Sequence, residues 1–191
     1  MKKILFIVGS TRKNSFNLQL AKEVQQMLEA KAEVTYLDFS DVPFFNQDTE
    51  FPTPQPVERV RKEVSEAKGV WIFTPEYNQS YPGYLKNLLD WLSRPLKPND
   101  YSSGTTAKNV KVTISGVSGK SAAGNSRKKL SELLQYIGMD LCDAEGTGLA
   151  LDGKAFTTDK LTVSPHDKIR LETQINDFLQ FIAGLSVTPF P

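Results

Sequence analysis

Lys3-Ile4-Leu5-Phe6-Ile7-Val8 runs directly into Gly9-Ser10-Thr11-Arg12-Lys13-Asn14-Ser15-Phe16-Asn17, after which Leu20, Ala21, Val24, Met27 and Leu28 return at helical spacing. An apolar run with no polar alternation marks a strand covered on both faces, and the spacing behind it marks a helix with one apolar stripe. The pattern repeats along the chain. Glu33 to Asp38 reads as a second strand, Val57, Val60, Val64 and Ala67 as a second helical stripe, and Gly69 to Thr74 as a third strand. Pro82, suited to a first helical position, opens a helix bearing Leu85, Leu88, Leu89 and Leu92. Val110, Val112 and Ile114 mark a fourth strand, and Leu130, Leu133, Leu134 and Ile137 a helix closed by Gly138. Leu141 to Ala144 is a weaker fifth strand. Ser164-Pro165-His166-Asp167 then supplies an N-cap, a first-position proline and a first-turn carboxylate for a last helix carrying Leu171, Ile175, Phe178, Leu179 and Ile182.

Strands alternating with helices imply an α/β fold: a doubly wound five-stranded parallel sheet, order 2-1-3-4-5, with helices on both faces. Two long loops interrupt it, Phe39 to Pro56, with four prolines and four phenylalanines, and Lys97 to Lys108, rich in Ser, Thr and Gly. With 191 residues, 39% of them hydrophobic, the expectation is a single domain over 1–191. Such a core needs neither disulfide nor structural metal, and Cys142, the only cysteine, has no partner to bridge. The 23 basic and 22 acidic residues leave a net charge of +1, which argues against nucleic acid or an anionic membrane as the main partner. No apolar run approaches the roughly 20 residues of a bilayer span, and the first strand is too short for a signal sequence, so a cytoplasmic protein is expected. Asn78-Gln79-Ser80 fits a glycosylation sequon, which carries no weight without secretion.

In such a sheet ligands bind beyond the carboxyl ends of the strands where the order reverses, here strands one and three. The Gly9 to Asn17 loop leads into a helix whose backbone N–H groups and positive end favour an anion. Arg12 can add a bidentate contact, and Ser10, Ser15 and Asn17 uncharged donors. Phosphate is the natural occupant; the alternative is a polar turn with Ser15 as N-cap. The loop is not a dinucleotide fingerprint, since Thr11 takes the second glycine's place, and the sole Gly-Lys-Ser, at Gly119 to Ser121, has Ile114 where a Walker A glycine belongs. Gly116 to Lys120 misses a nucleophile elbow, and His166, the only histidine, sits at a helix start as a capping or surface residue would. After the third strand, Thr74-Pro75-Glu76-Tyr77-Asn78-Gln79-Ser80 offers Tyr77 as a flat aromatic surface and Asn78 as an amide that donates and accepts. That set suits a planar heterocycle with carbonyls and ring nitrogens, or simply joins strand to helix. A phosphate cradle and a ring platform on neighbouring loops fit one ligand, FMN.

These motifs resemble the NADPH-dependent FMN reductase family, flavodoxin-like enzymes that include quinone, azo-dye and chromate reductases. Its Gly-Ser-x-Arg-x-x-Ser-x-Asn is met at Gly9, Ser10, Arg12, Ser15 and Asn17, its Pro-Glu-Tyr-Asn at Pro75 to Asn78, and its next signature at Pro82 to Trp91. The similarity spans about the first 135 residues. It implies FMN held at its phosphate by the loop from Gly9 through Thr11 and Phe16 to Asn17, with Ser10, Arg12, Ser15 and Asn17 as the main contacts. Pro75, Glu76, Tyr77 and Asn78 would border the ring. Where the family carries a Gly-Gly pair before an Arg, this chain has Gly124-Asn125-Ser126-Arg127, and Ser118 and Gly119 become the contacts expected from the fourth strand's loop. The tail from Gly138 to Pro189-Phe190-Pro191 is expected to shape the substrate opening.

The resemblance implies NADPH or NADH as electron donor, a small-molecule acceptor, and chemistry carried by the flavin with no catalytic side chain and no metal. It also implies a homodimer, or a tetramer, with Tyr84, Trp91 and Tyr136 at the interface. Two rivals stay open, a flavodoxin-type single-electron carrier and a cofactor-free interaction module on the same fold.

Overall fold

The computed structural model describes residues 1–185, so the expectation for Pro189 to Pro191 lies outside the described residues. In chain order the elements are β1 (Lys2–Val8), α1 (Phe16–Met27), β2 (Ala32–Tyr36), α2 (Gln55–Glu66), β3 (Gly69–Thr74) and α3 (Gly83–Leu92). There follow β4 (Pro95–Lys97), β5 (Asp100–Thr105), β6 (Lys111–Ser118), α4 (Gly124–Tyr136), β7 (Asp140–Leu141), β8 (Thr147–Ala150), α5 (Gly153–Thr158) and α6 (Pro165–Ile182). The main sheet is parallel and ordered β2-β1-β3-β6, with β7 and β8 both lying against β6. This is the flavodoxin-like order, its fifth position divided between two short strands.

The division corrects the expected strand over Leu141 to Ala144. Cys142 N–H still donates to Val112 O at 2.9 Å, but Asp143 then accepts the Glu145 N–H, and Gly146 turns the chain at φ 57°. Ser131 Oγ and the Arg127 guanidinium take up the freed carbonyls of Ala144, Glu145 and Gly146, so side chains of α4 replace sheet bonds there. A Cβ at Gly146 would lie 1.9 Å from Ile114 O; this is a close approach only glycine permits.

Alternation along the strands sends side chains to two cores. Leu5, Ile7, Val70, Ile72, Val112 and Ile114 face α2, α3 and α4, whereas Ile4, Phe6, Trp71, Phe73 and Val117 face α1 and α6. On the second face β6 also presents Thr113 and Ser115. Gln174 of α6, itself buried, donates to Thr113 Oγ1 and Ile114 O and accepts from Ser115 Oγ, which accepts from Trp71 Nε1. Satisfied in this way, the polar residues cost β6 little.

Two loop expectations change. Residues 39–56 pack as part of the core: Phe39 stacks on Tyr84 at 4.3 Å, Trp91 Nε1 donates to Pro43 O, and Arg94 grips Glu50 with two bonds. Trp91 is therefore buried within its own chain and is no interface residue, while Tyr136 stays 88% exposed. The expected loop over Lys97 to Lys108 is mostly taken up by the β4–β5 hairpin, which turns at Pro98 and Asn99, the latter at φ 54°. Pro82 proves to be the residue before α3 rather than its first. Ser164 caps α6 as expected, and no helix among the described residues is long and apolar enough to cross a membrane.

Candidate active site

Gly9 ends β1 by donating to Phe73 O at 2.8 Å, which ties the start of the loop to the neighbouring strand. A Cβ there would crowd Leu85 and the Phe73 carbonyl, so the loop lies close over β3. Ser15 is buried and caps α1, its Oγ accepting from Leu18 N–H at 3.0 Å. The capping alternative and the anion-site reading are thus compatible, because the first-turn N–H groups of Phe16 and Asn17 still have no partner inside the helix. Asn17 has a second task besides lining the cavity. Its Nδ2 donates to Val117 O and its Oδ1 accepts Val117 N–H, a buried two-bond clamp on β6 that uses one of the two amide hydrogens. Arg12 lies across Phe16, 5.1 Å from the ring centre, and its NH1 donates to Asp159 at 2.7 Å.

The loop after β3 is a two-residue reversal. Tyr77 and Ser80 exchange backbone bonds, and Asn78 and Gln79 both take positive φ, 51° and 60°. Asn tolerates that conformation, which explains Asn78 in local terms. Tyr77 is half exposed and stands 3.5 Å from Ser10 Oγ. Glu76 turns to α4, whose N-cap, Ala123, has no side chain to offer. Its carboxylate accepts Ser126 N–H at 3.1 Å and Asn125 Nδ2. Burial works against the Glu76 charge, but the Ser126 N–H, the Ser121 hydroxyl and Asn125 outweigh it and hold the carboxyl below its usual range. Ser118 is also engaged, sharing a hydrogen with Ser121 Oγ and accepting Ala123 N–H.

These loops enclose a cavity of about 440 Å³ at the carboxyl ends of β1, β3 and β6. Ser10, Arg12, Ser15, Phe16, Asn17, Pro75, Glu76, Tyr77, Ser118 and Gly119 line it; Gly9, Thr11 and Asn78 do not. Gly9 acts from behind, through the backbone. Four lining residues are new: Val117, Leu151, Phe156 and Asp159. The last three come from the segment through α5, which no sequence signal placed here. Phe156 meets Phe16 edge to face at 6.3 Å. His166 is far from use as a base, its side chain 81% exposed at the start of α6.

The donor set suits a phosphorylated aromatic ligand. A guanidinium, the Ser10 hydroxyl and a helix N-terminus line the same cavity as the aromatic and apolar surfaces of Tyr77, Phe156 and Leu151.

The sequence profile described as NADPH-dependent FMN reductase matches residues 2–145. A 2-hydroxy-1,4-benzoquinone reductase of a Burkholderia species is 40% identical over 93 residues, 49% of this chain and 51% of that protein. The likeness thus covers about half of that relative's length. A quinone reductase of Pseudomonas putida is 33% identical over 128 residues, 66% of this chain and 68% of the relative. Among solved structures, FerB, a flavoenzyme NAD(P)H:(acceptor) oxidoreductase from Paracoccus denitrificans, superposes with a TM-score of 0.84 at 27% identity, over 98% of this chain and 100% of that one.

Proposed function

From its membership of the NADPH-dependent FMN reductase family, to which this chain belongs, we propose that it is an FMN-containing oxidoreductase. In this reading electrons pass from NADPH or NADH to a small acceptor such as a quinone, an azo compound or a free flavin. The observation that carries it is the single cavity into which the Gly9–Asn17 loop and the Pro75–Tyr77 stretch both open. Held there by the residues of these two loops, FMN would supply two-electron redox chemistry.

The chain's own residues bind and orient. Arg12, Ser10 and the α1 N-terminus hold the phosphate. Pro75 and Tyr77 border the ring, and Glu76 acts at one remove by fixing the start of α4 beside the β6 loop. No side chain need serve as general base for hydride transfer between stacked cofactors. Donor and acceptor would bind at this cavity in turn. In the cell the protein works in the cytoplasm as a homodimer or tetramer, with exposed Tyr136 and partly exposed Tyr84 as the interface aromatics.

The test is anaerobic mixing of the flavin-loaded protein with NADPH, followed by steady-state rates against a quinone. Bleaching of the flavin by NADPH alone and parallel double-reciprocal lines are expected. A flavin that stays oxidised overturns the assignment in favour of a carrier, and intersecting lines overturn the alternating scheme. A flavin-replete Tyr77→Phe variant should lose less than about tenfold in flavin reduction, below the range for an essential acid or base.

A further inference from the structure

Asp159 stands at the end of α5 with φ 53°, more than 140 residues from the loop it touches. Its carboxylate is fully committed to that loop: Oδ1 accepts Arg12 NH1 at 2.7 Å and Oδ2 accepts Asn14 Nδ2 at 2.7 Å. Its backbone carbonyl accepts Asn14 Nδ2 and Gln19 Nε2, both at 3.1 Å. Gln19 closes the set by accepting Leu161 N–H at 2.7 Å. Two adjoining turns, the loop at Arg12 and Asn14 and the first turn of α1 at Gln19, are thus both fastened by residues 159–161.

A carboxylate lining an anion site would ordinarily oppose the anion. Here both oxygens point at donors of the loop, and only one edge of the guanidinium is taken. Arg12 Nε and NH2 make no hydrogen bond among the described residues, so the other edge is left to a ligand. A guanidinium pinned on one edge loses less rotamer freedom when it binds on the other.

We infer that Asp159 is a positioning residue for the phosphate group of the cofactor, acting through Arg12 and Asn14. The inference rests on the FMN reading above and adds to it a residue from outside the motif loops. Its effect is expected on the phosphate, because both carboxylate oxygens bond the Arg12–Asn14 loop and neither bonds the Pro75–Asn78 stretch.

Flavin dissociation constants of the full-length protein test this, measured for FMN and for riboflavin, which lacks the phosphate. Asp159→Asn keeps the shape and tolerates positive φ, and Asp159→Gly provides a second variant without strain at that φ. Each should weaken FMN by roughly three- to fivefold, the upper part of the scale for one exposed charged pair, and leave riboflavin within about 1.5-fold. In an Arg12→Ala background the Asp159→Asn effect on FMN should shrink to within about twofold, since the two residues act as a unit. Equal weakening of both flavins means a general structural role and overturns the inference. So does unchanged or tighter FMN binding, the latter marking Asp159 as a competitor of the phosphate. If the wild-type protein binds neither flavin, the functional reading falls and this inference with it; if it binds FMN and the Asp159 variants bind it equally, only the inference falls.

Discussion

The two sides of the cavity are built differently. One side, residues 9–17, is a contiguous turn between a strand and the helix that follows it, capped from within by Ser15 and then fastened from outside by Phe73 and Asp159. The other side, Leu151 to Asp159, reaches the cavity because β8 pairs with the far end of β6 and leads into α5. The turn and cap of the first are written in its own residues, and distant contacts only fasten them. A wall made by sheet pairing depends on every step that sets the pairing, so distant damage can remove it altogether.

The largest effect should come from breaking the second wall at its root. Gly146→Ala places a methyl against Ile114 O in a positive-φ position, combining overpacking with left-handed strain at about 2–4 kcal/mol of stability. Urea denaturation measures it, and a loss below about 1 kcal/mol would show that β8 docks more loosely than the close approach implies.

Next in size is the local wall. Arg12→Ala removes a charge-assisted contact of about 1.5–3 kcal/mol and should weaken FMN on the order of ten- to a hundredfold. The melting temperature of the flavin-free protein should hardly move, because the Arg12–Asp159 pair is half exposed on both sides. An unchanged FMN dissociation constant would mean that the phosphate is held elsewhere.

The smallest effect sharpens the contact between the β3 loop and α4. Glu76 has a folded-state carboxyl held below its usual range, so its contribution is present above its unfolded pKa of about 4.3 and is lost as pH falls through the folded value. Glu76→Gln should therefore cost a little stability at neutral pH and none in acid, so wild-type and variant melting curves converge as pH drops below about 4. Curves that stay parallel across that range would remove the capping role.

The sequence was most legible where structure is local. The parallel order followed from strands too apolar to be exposed, and most of the motif residues from Ser10 to Gly119, though not Thr11 or Asn78, line one cavity because their loops follow strands of one sheet at the same end. Where long-range contacts enter, the sequence was less legible. Asn17 belongs to the motif, and its amide also clamps Val117, a partner 100 positions away. Trp91 lies beyond the leucine stripe of α3, yet the 39–56 loop folds over it and supplies the Pro43 carbonyl to its indole.

By itself the chain's order of residues determined the strands, the helices, their parallel arrangement and two of the cavity's walls, because hydrophobic periodicity and capping act within a few residues. Only the tertiary structure decided the split of the last strand, the use of Glu76 as a cap for α4, and the placing of Asp159 on Arg12. Those depend on which carbonyls and N–H groups packing leaves without partners, and no pattern along the chain records that.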